Sequence, residues 1–75
     1  MATFGENLRA VRHKRGMPMR ELAEASGISE SAISGYERGK HECTLYALVQ
    51  LCKALKCPPQ ELVEDFPDQK KEDKE

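Results

Sequence analysis

Tryptophan is absent from this 75-residue chain, and the aromatics are limited to two Tyr and two Phe. β-Branched residues are scarce as well: three Val, two Ile and two Thr. Strands draw on these two classes of side chain. Their scarcity beside abundant Leu, Ala, Glu, Lys and Arg argues for an all-helical fold. Long apolar runs are missing too. None approaches the ~20 residues needed to span a bilayer, so no membrane partner is expected. The start, Met1-Ala2-Thr3-Phe4-Gly5-Glu6, lacks the basic-then-apolar order of a signal peptide. The expected location is intracellular and cytoplasmic.

Histidine occurs only twice, at His13 and His41. Neither sits in a Ser/His/Asp or Cys/His set with a motif around it. An enzyme is therefore not expected, and no cofactor is implied. Cys43, Cys52 and Cys57 are odd in number and form no Cys-x-x-Cys pair. Free thiols in a reducing compartment explain them. A metal site built from His41, Cys43, Cys52 and Cys57 would have spacings of two, nine and five residues, which match no zinc pattern. Cys52 and Cys57 fall where apolar residues belong and read as small core residues.

Excess charge is also lacking, with a net of −1. Its distribution is uneven. Residues 1–59 carry nine Lys/Arg against six Asp/Glu, a net of +3, whereas residues 60–75 carry three against seven, a net of −4. A mildly basic body with an acidic end can offer one face to phosphates. Hydrophobic residues at 39% beside charged residues at 33% suit one small globular domain with a thin core. The domain is expected over 1–66. The charged run over 67–75 has nothing to bury and reads as a disordered tail.

Within the body, apolar spacing outlines five helices. Phe4, Leu8 and Val11 form the stripe of a first helix over roughly 3–15. Thr3 and Glu6 can make its capping box, and Gly16 can stop it. Pro18 suits the start of a second helix whose inward residues are Leu22 and Ala23. Gly27 supplies a left-handed end, Ile28 is a lone apolar residue in the turn, and Ser29 can cap a third helix over 30–37 with Ile33 and Tyr36 inward. Thr44 caps a fourth helix over roughly 45–56, with Leu45, Leu48, Val49, Cys52 and Leu55 as the expected inward stripe. Cys57-Pro58-Pro59 opens a short fifth helix with Leu62 and Val63 inside. Two short helices joined through a sharp Gly-containing turn make a helix-turn-helix arrangement at helices two and three.

Leu22-Ala23, Gly27-Ile28-Ser29, Ile33-Ser34 and Tyr36-Glu37-Arg38-Gly39-Lys40 together resemble the phage-repressor and Cro-like helix-turn-helix family, the XRE-type regulators. Thr44 to Leu55 resembles that family's fourth helix and Pro59 to Glu64 its fifth. The resemblance covers roughly residues 4–64. It implies a compact five-helix DNA-binding domain, a transcriptional regulator and in particular a repressor, homodimeric on an inverted-repeat operator in double-stranded DNA. It places the base-reading candidates at Ser29, Glu30, Ser31, Ser34 and Gly35, and phosphate contacts at the position of Met19 and in the loop of Lys40 and His41; Arg20, Arg38 and Thr44 are further phosphate candidates by their chemistry and place beside the helix. It pairs Arg12 with Glu37 as a structural ion pair. Leu62, Val63 and Phe66 are the candidates for a dimer contact, with a role in the monomer's own core as the alternative.

The chain departs from the family's pattern where DNA would be read. Arg, Gln and Lys are missing from the recognition positions. Glu30 could accept from cytosine N4, or simply favour the positive end of its helix. Met19 stands where the family usually has Gln, and packing against the domain is its simpler role. These departures keep open a protein-interaction module on the same fold, antitoxin-like or coactivator-like, with a protein partner in place of DNA.

Overall fold

The computed structural model describes residues 3–63. Five helices follow one another: α1 (Phe4–Lys14), α2 (Met19–Ser26), α3 (Glu30–Glu37), α4 (Leu45–Leu55) and α5 (Pro59–Val63). No strand occurs among the described residues. The expected charged tail over 67–75 and the last residues of the expected domain lie outside them.

Each of the first four helices starts where local chemistry allows it. The Thr3 hydroxyl accepts from the Glu6 N–H at 3.1 Å, and the Glu6 carboxylate accepts from the Thr3 N–H at 3.2 Å. This is the expected capping box, and it satisfies two donors that a helix start would otherwise leave unpaired. Pro18 precedes α2 in an extended conformation and makes no side-chain cap. Ser29 and Thr44 cap α3 and α4 by accepting from Ala32 N–H and Ala47 N–H, each at 3.1 Å. The end of α4 is closed from far away in sequence. Arg15 donates through Nε to the Leu55 carbonyl at 2.7 Å and through Nη2 to the Lys56 carbonyl at 3.2 Å. A cation at a helix C-terminus meets the negative end of the dipole.

The core collects Leu8 and Val11 from α1, Leu22 from α2, Ile33 from α3 and Leu62 from α5 around one face of α4. That face differs from the expected one. Ala47, Leu51, Cys52 and Leu55 point inward, while Leu45 and Val49 are 76% and 45% exposed. Nearly all of α4 is apolar, so more than one stripe satisfies helical spacing. The choice falls to the neighbours. α4 packs against α2 and α5, and the small Ala47 is among the side chains buried there. Leu62 is fully buried and Val63 only partly so. Leu62 is therefore a core residue and is withdrawn as a dimer contact; Phe66 lies outside the described residues.

Two features set how α1 and α3 meet. At Gly5, a methyl group would stand 2.5 Å from the carbonyl oxygens of both Tyr36 and Glu37. Only a residue without a side chain lets the end of α3 come this close. One end of the same interface is locked by charge. Arg12 donates to Glu37 from Nε at 2.7 Å and from Nη2 at 3.1 Å, and Nη1 donates to the Met17 carbonyl at 3.1 Å. Both side chains are nearly buried, so the expected pairing is present and bidentate.

All three cysteines are free; Cys52 and Cys57 are buried and Cys43 partly so. Burial raises each thiol's pKa above the ordinary value of 9.0. Cys57 is pushed up to about 11, first by burial and then by Cys52 and Glu61, with Arg15 opposing. Cys52 and Cys57 are small core side chains.

Two outcomes follow for stability. Glu37→Ala strands a nearly buried guanidinium and should cost about 3–5 kcal/mol, whereas the paired replacement Arg12→Met with Glu37→Leu should recover most of that loss. Urea denaturation followed by circular dichroism distinguishes the two. The second concerns Cys57, whose folded-state pKa is raised. Its unfolded thiol releases a proton first, so stability should fall as pH climbs from 9.0 towards about 11. Denaturation midpoints across that range, compared with Cys57→Ala, should show a shallower decline in the variant.

Candidate nucleic-acid interface

The turn between α2 and α3 is built from four consecutive residues, each with its own task. Ser26 is buried. Its hydroxyl accepts from the Ile28 N–H at 3.2 Å and donates to the Ala23 carbonyl at 3.5 Å. Gly27 takes the left-handed conformation, φ 75° and ψ 15°, and its N–H closes on Ala23. A side chain there would strain the backbone. Ile28 packs into the core beneath the turn, and Ser29 caps α3. From α4, the Gln50 amide donates to the Ser26 carbonyl at 3.3 Å. The turn is therefore pinned from below as well as from within.

This anchoring holds α3 with one side on the core and the other outward. Ile33 is buried, while Glu30 and Ser31 are exposed at the start of the helix and Ser34 is half-buried. The Ser29 side chain is exposed but engaged in its cap. Gly35 is different: it is buried although it belongs to the outward stripe, four residues on from Ser31. The His41 ring covers it, and a methyl group on Gly35 would overlap that ring. A free backbone surface at Gly35 is thus not present in this structure.

The phosphate candidates flank α3 on several elements. Arg38, Lys40, His41 and Thr44 are all exposed beyond its C-terminal end. Their loop is tied back to the helix, because the N–H groups of Lys40 and His41 both donate to the Gly35 carbonyl, at 2.8 and 3.4 Å. Thr44 uses its oxygen as a cap but keeps its hydroxyl proton to donate. Arg20 is exposed on the first turn of α2. Met19 is half-buried against the core, in keeping with packing. The start of α2, with no side-chain cap, presents N–H groups and a positive dipole end suited to an anion.

Sequence reasoning missed Ser26, Gln50 and the seat of His41 on Gly35. Ser26 precedes a turn glycine and carries a weak signal for a local hydroxyl bond. The other two are contacts over distance and leave no mark in spacing. Among the described residues, no group of three or more His, Cys, Asp or Glu is placed to hold a metal.

Known proteins share this arrangement. A family model described as helix-turn-helix matches residues 8–62. The HTH-type transcriptional repressor RghR of Bacillus subtilis is 42% identical over 59 residues, 77% of this chain and 44% of that protein. The chain spans less than half the length of this and similar curated relatives. The restriction-modification controller protein C.AhdI from Aeromonas hydrophila superposes with a TM-score of 0.76 at 37% identity, over 79% of this chain and 89% of that one. The P22 c2 repressor protein, solved in complex with a synthetic operator, superposes with a TM-score of 0.79 at 35% identity, over 88% of this chain and all of that one. With five helices, the α2–turn–α3 unit and the Arg12–Glu37 clasp in place, the chain belongs to the helix-turn-helix family, on the phage-repressor and Cro-like plan.

Proposed function

We propose that this chain is a sequence-specific DNA-binding transcriptional regulator, acting as a repressor inside the cell, and that it inserts α3 into the major groove of double-stranded DNA. The observation that carries this reading is the presentation of α3. A pinned left-handed turn holds the helix out with Glu30 and Ser31 exposed at its leading end, and exposed Arg20, Arg38 and Lys40 stand on the elements around it. Cations around a protruding helix place phosphates while the helix meets base edges. The operator complex of the P22 c2 repressor supports the same choice of ligand.

The roles divide by chemistry. Ser31 and Ser34 carry hydroxyls that bond to base edges or phosphates without strong preference. Glu30 can accept from cytosine N4. Arg20, Arg38 and Lys40 neutralise phosphates, the N–H groups at the start of α2 hold another, and the Thr44 hydroxyl donates to the backbone. No catalytic step is assigned to any of these residues.

A homodimer on an inverted repeat completes the proposal. With Leu62 withdrawn, the support on the described surface is Val63 at the end of α5 and the exposed apolar side chains of α4, Leu45, Tyr46 and Val49. That same exposed face is the observation favouring a second reading, in which the chain binds a different protein.

Selection from random duplex DNA tests the function. An inverted repeat with half-sites about 34 Å apart should be enriched. For every four phosphates neutralised, affinity should fall roughly 10²-fold between 50 and 200 mM salt, and Lys40→Ala should weaken all sequences alike while reducing the salt slope by about 1. Absence of enrichment together with negligible low-salt binding would turn the search to a protein partner. Sedimentation velocity tests the dimer separately. A dimer that Leu45→Ser with Val49→Ser converts to monomer supports the α4 face, and a monomer at every concentration with and without operator DNA counts against dimerisation.

A further inference from the structure

α3 lacks a side chain at Gly35, on the face it shares with Ser31. Ser31 and Gly35 are four residues apart on α3 and so share a face. Ser31 is exposed, but Gly35 is buried. What buries it is the His41 imidazole, which arrives from the loop after α3. A Cβ on Gly35 would overlap Cδ2 and stand 2.7 Å from Nε2 and 3.1 Å from Cγ. The ring therefore meets the helix through Cδ2, and Nδ1 lies farther from Gly35 than Cδ2, Nε2 and Cγ do. The residue as a whole is exposed. Its backbone is fixed as well, since the N–H groups of Lys40 and His41 converge on the Gly35 carbonyl at 2.8 and 3.4 Å.

We propose that His41 is a base-reading residue, which occupies the position that the missing side chain of Gly35 leaves open on the outward face of α3 and presents Nδ1 to the acceptor edge of a guanine. The inference rests on the reading of α3 as the DNA-recognition helix. It moves His41 from a loop group touching phosphate to a side chain contributing sequence discrimination. Chemistry supports the assignment. The stripe of Ser31 and Ser34 offers only short hydroxyls, whereas an imidazole N–H donates well to guanine O6 or N7. The loop backbone that carries the ring is tied to the Gly35 carbonyl by two N–H bonds, so the imidazole starts from a defined place on α3, which favours a directional contact over a diffuse electrostatic one. Glycine at position 35 is what makes the seat possible.

Selection from random duplexes, run on the wild type, His41→Ala, Gly35→Ala and the Gly35→Ala/His41→Ala pair, tests the proposal. Thermal unfolding of each variant checks that it folds, and because His41 is exposed, its alanine variant should unfold at the wild-type temperature. His41→Ala should lose the preference at one base pair per half-site, by about ten-fold, and leave the other positions intact. Gly35→Ala should unseat the ring and lose the same preference. The double variant should be no worse than His41→Ala, because both changes remove one contact. If His41→Ala keeps every base preference and weakens all sequences equally, His41 touches only phosphate and the proposal is overturned. If the wild type itself enriches no sequence, the reading of α3 as a recognition helix has failed first, and the assignment of His41 falls with it.

Discussion

The fold turns on the clasp that Arg12 makes. One guanidinium joins three parts of the chain: it belongs to α1, it grips the Glu37 carboxylate at the end of α3 with two bonds, and it holds the Met17 carbonyl just before α2. Taking such a charge out of water is costly, and only a complete set of partners offsets that cost. Here each of the three guanidinium nitrogens has a partner. The clasp is strict about geometry because a planar fork meets a planar carboxylate in one way only. It sets where α3 ends relative to α1, and Gly5 removes the side chain that would hold the two backbones apart. The other end of α3 is set by the Ser26–Gly27–Ile28–Ser29 turn. A helix of eight residues held at both ends is a rigid part, although its own length would leave it unstable in isolation.

Much of this was legible in the chain because it rests on local chemistry. Thr3 with Glu6, Gly27, Ser29 and Thr44 each act within four residues of their own position, so helix starts and the decisive turn could be placed from sequence. The ion pair was legible only by resemblance, since nothing in the spacing of residues 12 and 37 links them. The buried face of α4 departs from the expected one for a physical reason. Its sequence, Leu45 to Leu55, has Gln50 and Lys53 as its strongly polar residues. Periodicity finds a buried face by contrast with a polar one, and here the contrast is too weak. Burial is decided instead by what α2 and α5 can accommodate, and Ala47 takes a place that leaves Leu45 outside.

The site was legible as a place and less so as a mechanism. Exposed Glu30 and Ser31 stand at the start of α3, the proposed recognition helix, and Arg38 and Lys40 stand beyond its end. Gly35 is among the base-reading candidates by its position on the helix, yet it has no side chain of its own to read with. A glycine in a sequence shows that space exists, not what fills it. Filling came from His41, six residues on and in a different element, and a pattern based on one helix has no means of including it.

Gly5 and Gly35 show why the same residue type carries opposite consequences. At Gly5 the space is filled by main-chain carbonyls of α3, which cannot move without shifting the helix. At Gly35 the space is filled by a side chain that can rotate away into solvent. The first glycine therefore governs whether the domain holds its shape, whereas the second decides only which side chain lies over that face of α3. A recognition helix poor in long polar side chains need not be mute on that account. By keeping one position bare it can receive a reading group from the neighbouring loop, and changes in that loop can alter what is read while the core and the clasp beneath α3 stay as they are.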